Sequence, residues 1–180
     1  MTDQELEILK YPIGNFKNSE TLNLELVQSC ISDIEALPAN LKKQVQLLND
    51  AQLDIPYRPD GWTIRQVVHH LADSHMNSLI RFKLALTEDN PVIKPYLEDK
   101  WAELADSKLP VNISLQLLEG LHVRMVTMLN SLSPEELNRT YTHPEKQKQW
   151  HLYQVIYLYA WHGKHHLAHI TSTKKREGWL

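Results

Sequence analysis

Histidine is concentrated near the C-terminal end of the chain, where four of the ten histidines fall within the eight residues from His162 to His169. His162 and His166 are four residues apart, so on a helix their rings lie one above the other on the same face. This spacing allows two imidazoles to share one metal ion, and neutral imidazole is a good ligand for zinc, nickel, copper and iron. A third ligand must then come from elsewhere in the chain. The alternative interpretation is that these histidines only cover the solvated end of a helix.

A second group of histidines lies in an earlier segment with helical periodicity. At about 100° per residue, one narrow polar stripe on that helix is bounded by apolar positions. The stripe contains His70, Ser74, Asn77 and Arg81, between Val67 and Leu84. Such a stripe is expected to line a cavity, because a buried polar group needs a partner. His70 is therefore the predicted third ligand, with a hydrogen-bonded core histidine as the alternative. His69 points to one side, and His75 falls among apolar side chains, which is typical of a packed histidine with one hydrogen bond.

Three other side chains on this helix could serve the same site. Arg81 follows His70 by about three turns, roughly 16 Å along the axis, and could hold a substrate carboxylate or phosphate. Asn77 could orient substrate or water, and Asp73 could accept a hydrogen bond from a ligand histidine. For each of them, an ordinary solvated side chain is the alternative interpretation.

The composition excludes several classes of protein. The chain has 180 residues, 42% of them hydrophobic and 23% charged, and a net charge of −3, so no basic surface indicates binding to nucleic acid or to an anionic membrane. Cys30 is the only cysteine, which excludes a disulfide framework. The segment Met1–Lys10 is acidic and polar, unlike a signal peptide, and no apolar run is long enough to span a bilayer. We therefore expect a soluble cytoplasmic protein.

Local signals predict an all-α fold, since glycine is scarce, strand signals are few and helix-forming residues dominate. Residues 1–18 are predicted to form an extended N-terminal arm. Helices are expected from Ser19, with a kink or break at Pro38, over 63–87 with a capping box at Thr63 and Gln66, from Ser114, and over 152–176. Shorter helices are expected at 97–105 and after Ser133, and 139–149 could form a loop or a small hairpin. The predicted architecture is one domain, 1–180, built as a four-helix bundle with additional short helices.

Two separated motifs resemble one known family. The segment Trp62–Asp73 resembles the second-helix motif of the DinB superfamily, where a Trp opens the helix and the ligand histidine follows eight residues later. The segment His162–Ile170 is similar to the last-helix motif, where the first and fifth positions are ligands. The closest resemblance is to the YfiT-like subgroup, and it covers nearly the whole chain. Many members carry Gly-Gln after the second ligand, where this chain has Ala168-His169, so the roles of His165 and His169 stay open.

The resemblance implies a four-helix bundle that binds one divalent metal, zinc or nickel, through His70, His162 and His166. It also implies a homodimer and a metal-dependent hydrolase acting on a small molecule. Related bundles transfer low-molecular-weight thiols such as bacillithiol onto small electrophiles.

Three functions remain open at this level. Three neutral imidazoles leave a position of the ion open, which is typical of a catalytic site, and such an ion can activate water for hydrolysis or a thiol for transfer. The chain lacks a His-Glu-x-x-His arrangement, because Gly163 and Lys164 follow His162, and this argues against a protease-like mechanism. Hydrolysis is preferred because water is always available. A bundle that binds metal without turnover is the third possibility, although we find no basic recognition helix that a sensor would carry.

Overall fold

Four long helices form half of the chain in the computed structural model, which describes residues 2–145 and 147–179. The long helices are α2 (Leu24–Val45), α4 (Ile64–Thr87), α6 (Asn112–Asn130) and α8 (Leu152–Arg176). The short helices are α1 (Asp3–Lys10), α3 (Asp50–Leu53), α5 (Glu98–Trp101) and α7 (Pro134–Leu137), with a 3₁₀ turn at Ala105–Lys108. An antiparallel hairpin pairs β1 (Thr140–His143) with β2 (Lys148–His151).

The arrangement of the long helices decides which histidines can meet. Helices α2 and α4 each pack against both α6 and α8, so that α2 lies diagonally opposite α4 in the bundle. Helix α4 is therefore a direct neighbour of α8. The four-helix bundle with additional short helices that the sequence predicts is confirmed. Within the described part of the chain, no helix is long and apolar enough to cross a membrane.

The core is divided along the bundle into two apolar clusters. One contains Phe82, Met125 and Ile156, and the other contains Leu71 and Leu118. Polar side chains lie at the level between these clusters on three of the four long helices. They are Ser74, His75 and Ser78 on α4, His122 on α6, and His162 and His166 on α8. The candidate site is thus a polar layer inside an otherwise apolar bundle.

Strong local signals placed several elements correctly. Thr63 and Gln66 form the expected capping box, and α4 begins at the next residue. Ser133 and Glu136 form another capping box, with Pro134 at the first helical position. The last helix spans 152–176 as predicted, and Gly178 follows it with a φ of +71°.

The prediction of an extended arm over residues 1–18 is wrong for its first part. Asp3–Lys10 is helical, because Thr2 and Glu5 cap its first turn reciprocally. Ser19 does not begin the next helix, since its hydroxyl donates to the Thr21 carbonyl. Asn23 caps α2 instead, and its backbone N–H donates to the Tyr157 hydroxyl of α8.

Pro38 was expected to kink or interrupt the first predicted helix, which begins at Ser19, but α2 runs unbroken from Leu24 to Val45. Proline has no N–H, so the carbonyl of Ile34, one turn earlier, loses its usual helical donor. Nδ1 of His122 lies 2.7 Å from that carbonyl oxygen and donates to it from α6. A tertiary hydrogen bond therefore replaces the missing helical one.

Two further boundaries differ from the sequence prediction. Ser114 lies inside the first turn of α6 rather than capping it, and its hydroxyl is 2.7 Å from Nδ1 of His69. The short helix expected over 97–105 is only one turn, Glu98–Trp101, followed by the 3₁₀ turn.

Two helical glycines should respond oppositely to substitution. A Cβ on Gly163 would lie 2.7 Å from Cδ2 of Leu37, whereas a Cβ on Gly120 would meet open space. We expect Gly163→Val to lower the free energy of unfolding by about 1–3 kcal/mol through overpacking of α2 against α8. Gly120→Ala should raise it by about 1 kcal/mol through helix propensity. Urea unfolding of both variants measures this, and a stable Gly163→Val would contradict the close approach of the two helices.

Candidate metal centre

His70, His162 and His166 come together where α4 packs against α8. Nε2 of His70 lies 3.2 Å from Nε2 of His162, and one ring nitrogen from each of the three residues lies within 4.8 Å of the others. The i, i+4 pair of α8 thus meets the single histidine of α4, as the helical phase of each segment predicted.

Burial keeps these rings uncharged. Burial is the larger cause and the neighbouring histidines the smaller one. Together they lower the pKa of His70 to about 4 and the pKa values of His162 and His166 well below the ordinary value of a histidine. At neutral pH the three rings are therefore neutral and each offers a lone pair.

The donor set fits a divalent cation. Zinc–nitrogen bonds of about 2.0 Å at a tetrahedral angle separate two ligand nitrogens by about 3.3 Å, which is close to the separation of the His70 and His162 nitrogens. All-imidazole sites suit zinc, nickel and copper, and no carboxylate or thiolate belongs to this cluster. The three histidines line one wall of a cavity of about 310 Å³, so one side of the cluster faces open space.

An aromatic side chain covers the ligand rings. The ring centre of Trp62 lies 4.5 Å from that of His70 and 6.2 Å from that of His166. Trp62 precedes the N-cap Thr63, so the same capping turn that starts α4 also places this indole. The indole shields the rings from water on that side and preserves the low-polarity surroundings that keep them neutral.

Two further histidines contact the outer nitrogens of the ligand rings. Nδ1 of His162 lies 3.4 Å from Nε2 of His75, and Nδ1 of His166 lies 3.4 Å from Nδ1 of His169. His75 is fully buried, as expected of a packed histidine, but the sequence did not indicate that its partner would be a ligand ring. His69 is directed elsewhere, with its two nitrogens 2.7 Å from the Ser114 hydroxyl and 2.9 Å from the Leu109 carbonyl.

A second cavity, of about 570 Å³, adjoins the first and contains Arg81. Both cavities have Glu98, Asp99 and His162 in their walls. Nη2 of Arg81 donates to the Lys94 carbonyl at 3.1 Å, and its guanidinium lies 6.0 Å from the centre of the Tyr96 ring. The structure therefore places Arg81 in a cavity that reaches a ligand histidine.

The other two candidates on α4, Asn77 and Asp73, do not line the histidine cavity. The Asn77 amide donates to the Asp73 carbonyl one turn back at 2.8 Å, and Asn77 lines neither cavity. Because its amide donates to its own helix, the structure does not bring Asn77 to the site, and its role in orienting substrate stays a prediction. Burial, and then repulsion from Asp106, raise the pKa of Asp73 to about 6, and the structure gives this carboxyl no bond to a ligand histidine.

Sequence reasoning missed the charged residues that come from connecting segments. Arg58 and Asp60 from the loop before α4, and Glu98 and Asp99 from α5, line the histidine cavity. No periodic pattern marks them, since loops and one-turn helices place them by tertiary packing. The only signal was the turn-forming run Pro59-Asp60-Gly61, in which Asp60 has a φ of +55°.

Together, the bundle and its cluster of neutral imidazoles define a metal-binding four-helix protein, and the comparisons with known proteins agree. The model of the DinB superfamily matches residues 33–170, so the chain belongs to that superfamily.

Relatives in Bacillus cereus and Bacillus thuringiensis are 57% identical over 171 residues, which is 95% of this chain and 98% of theirs. Their names describe them provisionally as metal-dependent hydrolases. The solved structure of YfiT from Bacillus subtilis matches with a TM-score of 0.94 and 48% identity, over 96% of this chain and 99% of that one. YfiT is described as a probable metal-dependent hydrolase with an unusual four-helix bundle topology.

Removal of any one ligand ring should abolish stoichiometric metal binding. We expect His70→Ala, His162→Ala and His166→Ala each to lose the zinc that the unchanged chain retains after dialysis, as measured by elemental analysis. His69→Gln is the matched control, because position 69 neighbours a ligand but its ring contacts Ser114 and Leu109. Retention of zinc by an alanine variant, or its loss from His69→Gln, would refute this ligand set.

The metal-free protein should lose stability in mild acid. Burial holds the pKa values of His70, His165 and His169 at about 4 in the folded chain, whereas these rings titrate near 6.5 when unfolded. Between these values the unfolded chain binds more protons, so the free energy of unfolding decreases as the pH falls from 6.5 to 4. Urea midpoints of chelator-treated protein measured from about pH 7 to about pH 4.5 would show this. A flat profile would contradict the burial of neutral rings.

Proposed function

We propose that this protein is a zinc- or nickel-dependent hydrolase of a small molecule that carries an anionic group. The observation that supports it best is the convergence of three neutral imidazoles on the wall of a cavity that adjoins a second cavity containing Arg81. A structural metal site would be closed by four protein ligands, whereas this cluster has three and an open side. Zinc is the preferred ion, because three nitrogen ligands with one vacancy are its usual catalytic set.

We assign metal binding to the three histidines and proton transfer to two carboxylates. His70, His162 and His166 would hold a divalent ion, which would supply Lewis acidity and lower the pKa of a water molecule to roughly 7. Glu98 and Asp99 line both cavities, and their carboxylates would accept the proton that water releases on attack. They take the place of the carboxylate that a His-Glu-x-x-His motif would have supplied.

Substrate binding is assigned to the larger cavity. Arg81 offers guanidinium N–H groups beyond the one that donates to Lys94, and these match a carboxylate or phosphate. Four aromatic residues, Tyr96, Tyr141, Trp150 and Tyr159, are among those that line the cavity, and the Tyr159 hydroxyl donates to the Ser74 carbonyl at 3.3 Å. A substrate with an apolar middle and an anionic end therefore fits the cavity best.

The nucleophile distinguishes hydrolysis from thiol transfer. Zinc-loaded protein is offered a panel of esters and amides, with and without a terminal carboxylate or phosphate, and in parallel a small thiol with an electrophile. We expect hydrolysis without added thiol, and none after chelation. Turnover that requires the thiol would make the protein a transferase instead, and metal binding without either reaction would leave a non-catalytic bundle. The homodimer, which the family resemblance implies, and the cytoplasmic location, which the sequence suggests, both stay predictions.

Arg81 should affect binding of anionic substrates specifically. We expect Arg81→Gln to raise KM about tenfold for a substrate with an anionic end, because a charged hydrogen bond is lost. KM for the neutral counterpart should change little. Lys83→Gln removes an exposed charge two residues away on the same helix and is the control. An equal loss on both substrates would indicate that Arg81 acts on the fold rather than on the substrate.

A further inference from the structure

His169 links a ligand ring to the backbone of the N-terminal helix. Nδ1 of His169 lies 3.4 Å from Nδ1 of His166, and its Nε2 lies 3.0 Å from the carbonyl oxygen of Lys10, the last residue of α1. We infer that His169 is a positioning residue, which fixes the tautomer and orientation of His166 so that Nε2 of His166 faces the metal. This inference rests on the metal site of the proposed function, but not on the reaction that the site catalyses.

The hydrogen-bond chain has only one consistent direction. A carbonyl oxygen can only accept, so Nε2 of His169 must carry the hydrogen that is donated to Lys10. In a neutral ring the other nitrogen, Nδ1, then has a free lone pair and accepts a hydrogen bond from Nδ1–H of His166. Nε2 of His166 is left with a lone pair for the ion. The carbonyl oxygen of Lys10 therefore determines, through His169, that His166 binds the metal through Nε2.

The His169 ring is held rigidly enough to impose that choice. Its side chain is only 2% exposed, and the Tyr57 ring stacks on it with 3.9 Å between centres and 19° between planes. Tyr57 comes from the loop before α4, so this contact also ties the support to the segment that carries Trp62. A ring that is stacked on one face and bonded at both nitrogens has little freedom to rotate.

A competing interpretation is a second metal site. His165, His166 and His169 also have ring nitrogens within 4.8 Å of one another. Both nitrogens of His169 already have partners, however, while Nδ1 of His165 is buried without one among the described residues. His165 stacks on Trp161 at 4.5 Å and is, like His169, a buried histidine of α8 that contacts the His166 ring. It is therefore the matched control.

The test compares His169→Leu, His169→Gln and His165→Leu in the full chain. Glutamine can replace the relay, because its amide oxygen accepts from His166 and its NH₂ group donates to Lys10. Zinc affinity is measured by competition with a chromophoric chelator, and the visible absorption of the Co²⁺-loaded protein reports the ligand geometry. We expect His169→Leu to weaken zinc binding about 10- to 100-fold and to change the cobalt spectrum. His169→Gln and His165→Leu should stay within about threefold of the unchanged chain, with its spectrum.

Four results would overturn the inference. They are an unchanged affinity and spectrum in His169→Leu, a loss that glutamine does not restore, a second cobalt ion that both leucine variants lose, and no cobalt binding by the unchanged chain. Only the last also removes the metal site of the proposed function. If His169→Leu does not fold, ¹⁵N NMR of the zinc-loaded unchanged chain decides, since hydrogen must reside on Nδ1 of His166 and on Nε2 of His169. The opposite tautomers would overturn the inference.

Discussion

The burial of uncharged imidazoles between two apolar clusters is the constraint on which the rest of this structure depends. A charged ring at this depth would be costly, so the histidines stay neutral, and each neutral ring has a donor and an acceptor to satisfy. His70, His162 and His166 direct one nitrogen each toward a common point, and His75 and His169 occupy the outer nitrogens of two of them. With His122, which stacks on His75, six of the ten histidines belong to one layer of the bundle. A layer of this kind specifies how α4 and α8 pair, because sliding one helix past the other would separate His70 and His75 from His162.

A proline on α2 belongs to the same layer. Pro38 deprives the Ile34 carbonyl of its helical donor, and His122 of α6 supplies the replacement through Nδ1. The His122 ring then lies nearly parallel to His75, with 4.9 Å between centres and 15° between planes, and His75 contacts the ligand His162. Each of the four long helices therefore contributes to the polar layer, and a residue that would normally disrupt a helix helps to position a ring near the metal site.

Local signals predicted the parts of this arrangement that depend on one helix alone. The capping box at Thr63 set the start of α4, and the phase from there placed His70 on the stripe that faces α8. To predict that His162 and His166 lie on the same face, it was enough to know that they are four residues apart on a helix. Asn77 lies on the same stripe, but its amide donates to the backbone of its own helix, and helical phase alone does not show whether a side chain will do this or contact a ligand. Glu98 and Asp99 had no signal, since tertiary packing of a single helical turn brings them to the cavity.

The support for His166 was hidden from the sequence for a different reason. The hydrogen-bond chain from His166 through His169 ends at the backbone carbonyl of residue 10, and every residue type at that position provides the same oxygen. None of the residues of α1 is buried, so nothing in its composition indicates that it contacts the site. What the metal site requires of α1 is the position of its last carbonyl, which depends on where α1 ends and on how it packs against α8. The side chain at position 10 can therefore vary while the carbonyl stays in place, whereas a change that shifts the end of α1 would reach His166 through His169 without altering a residue of the site itself.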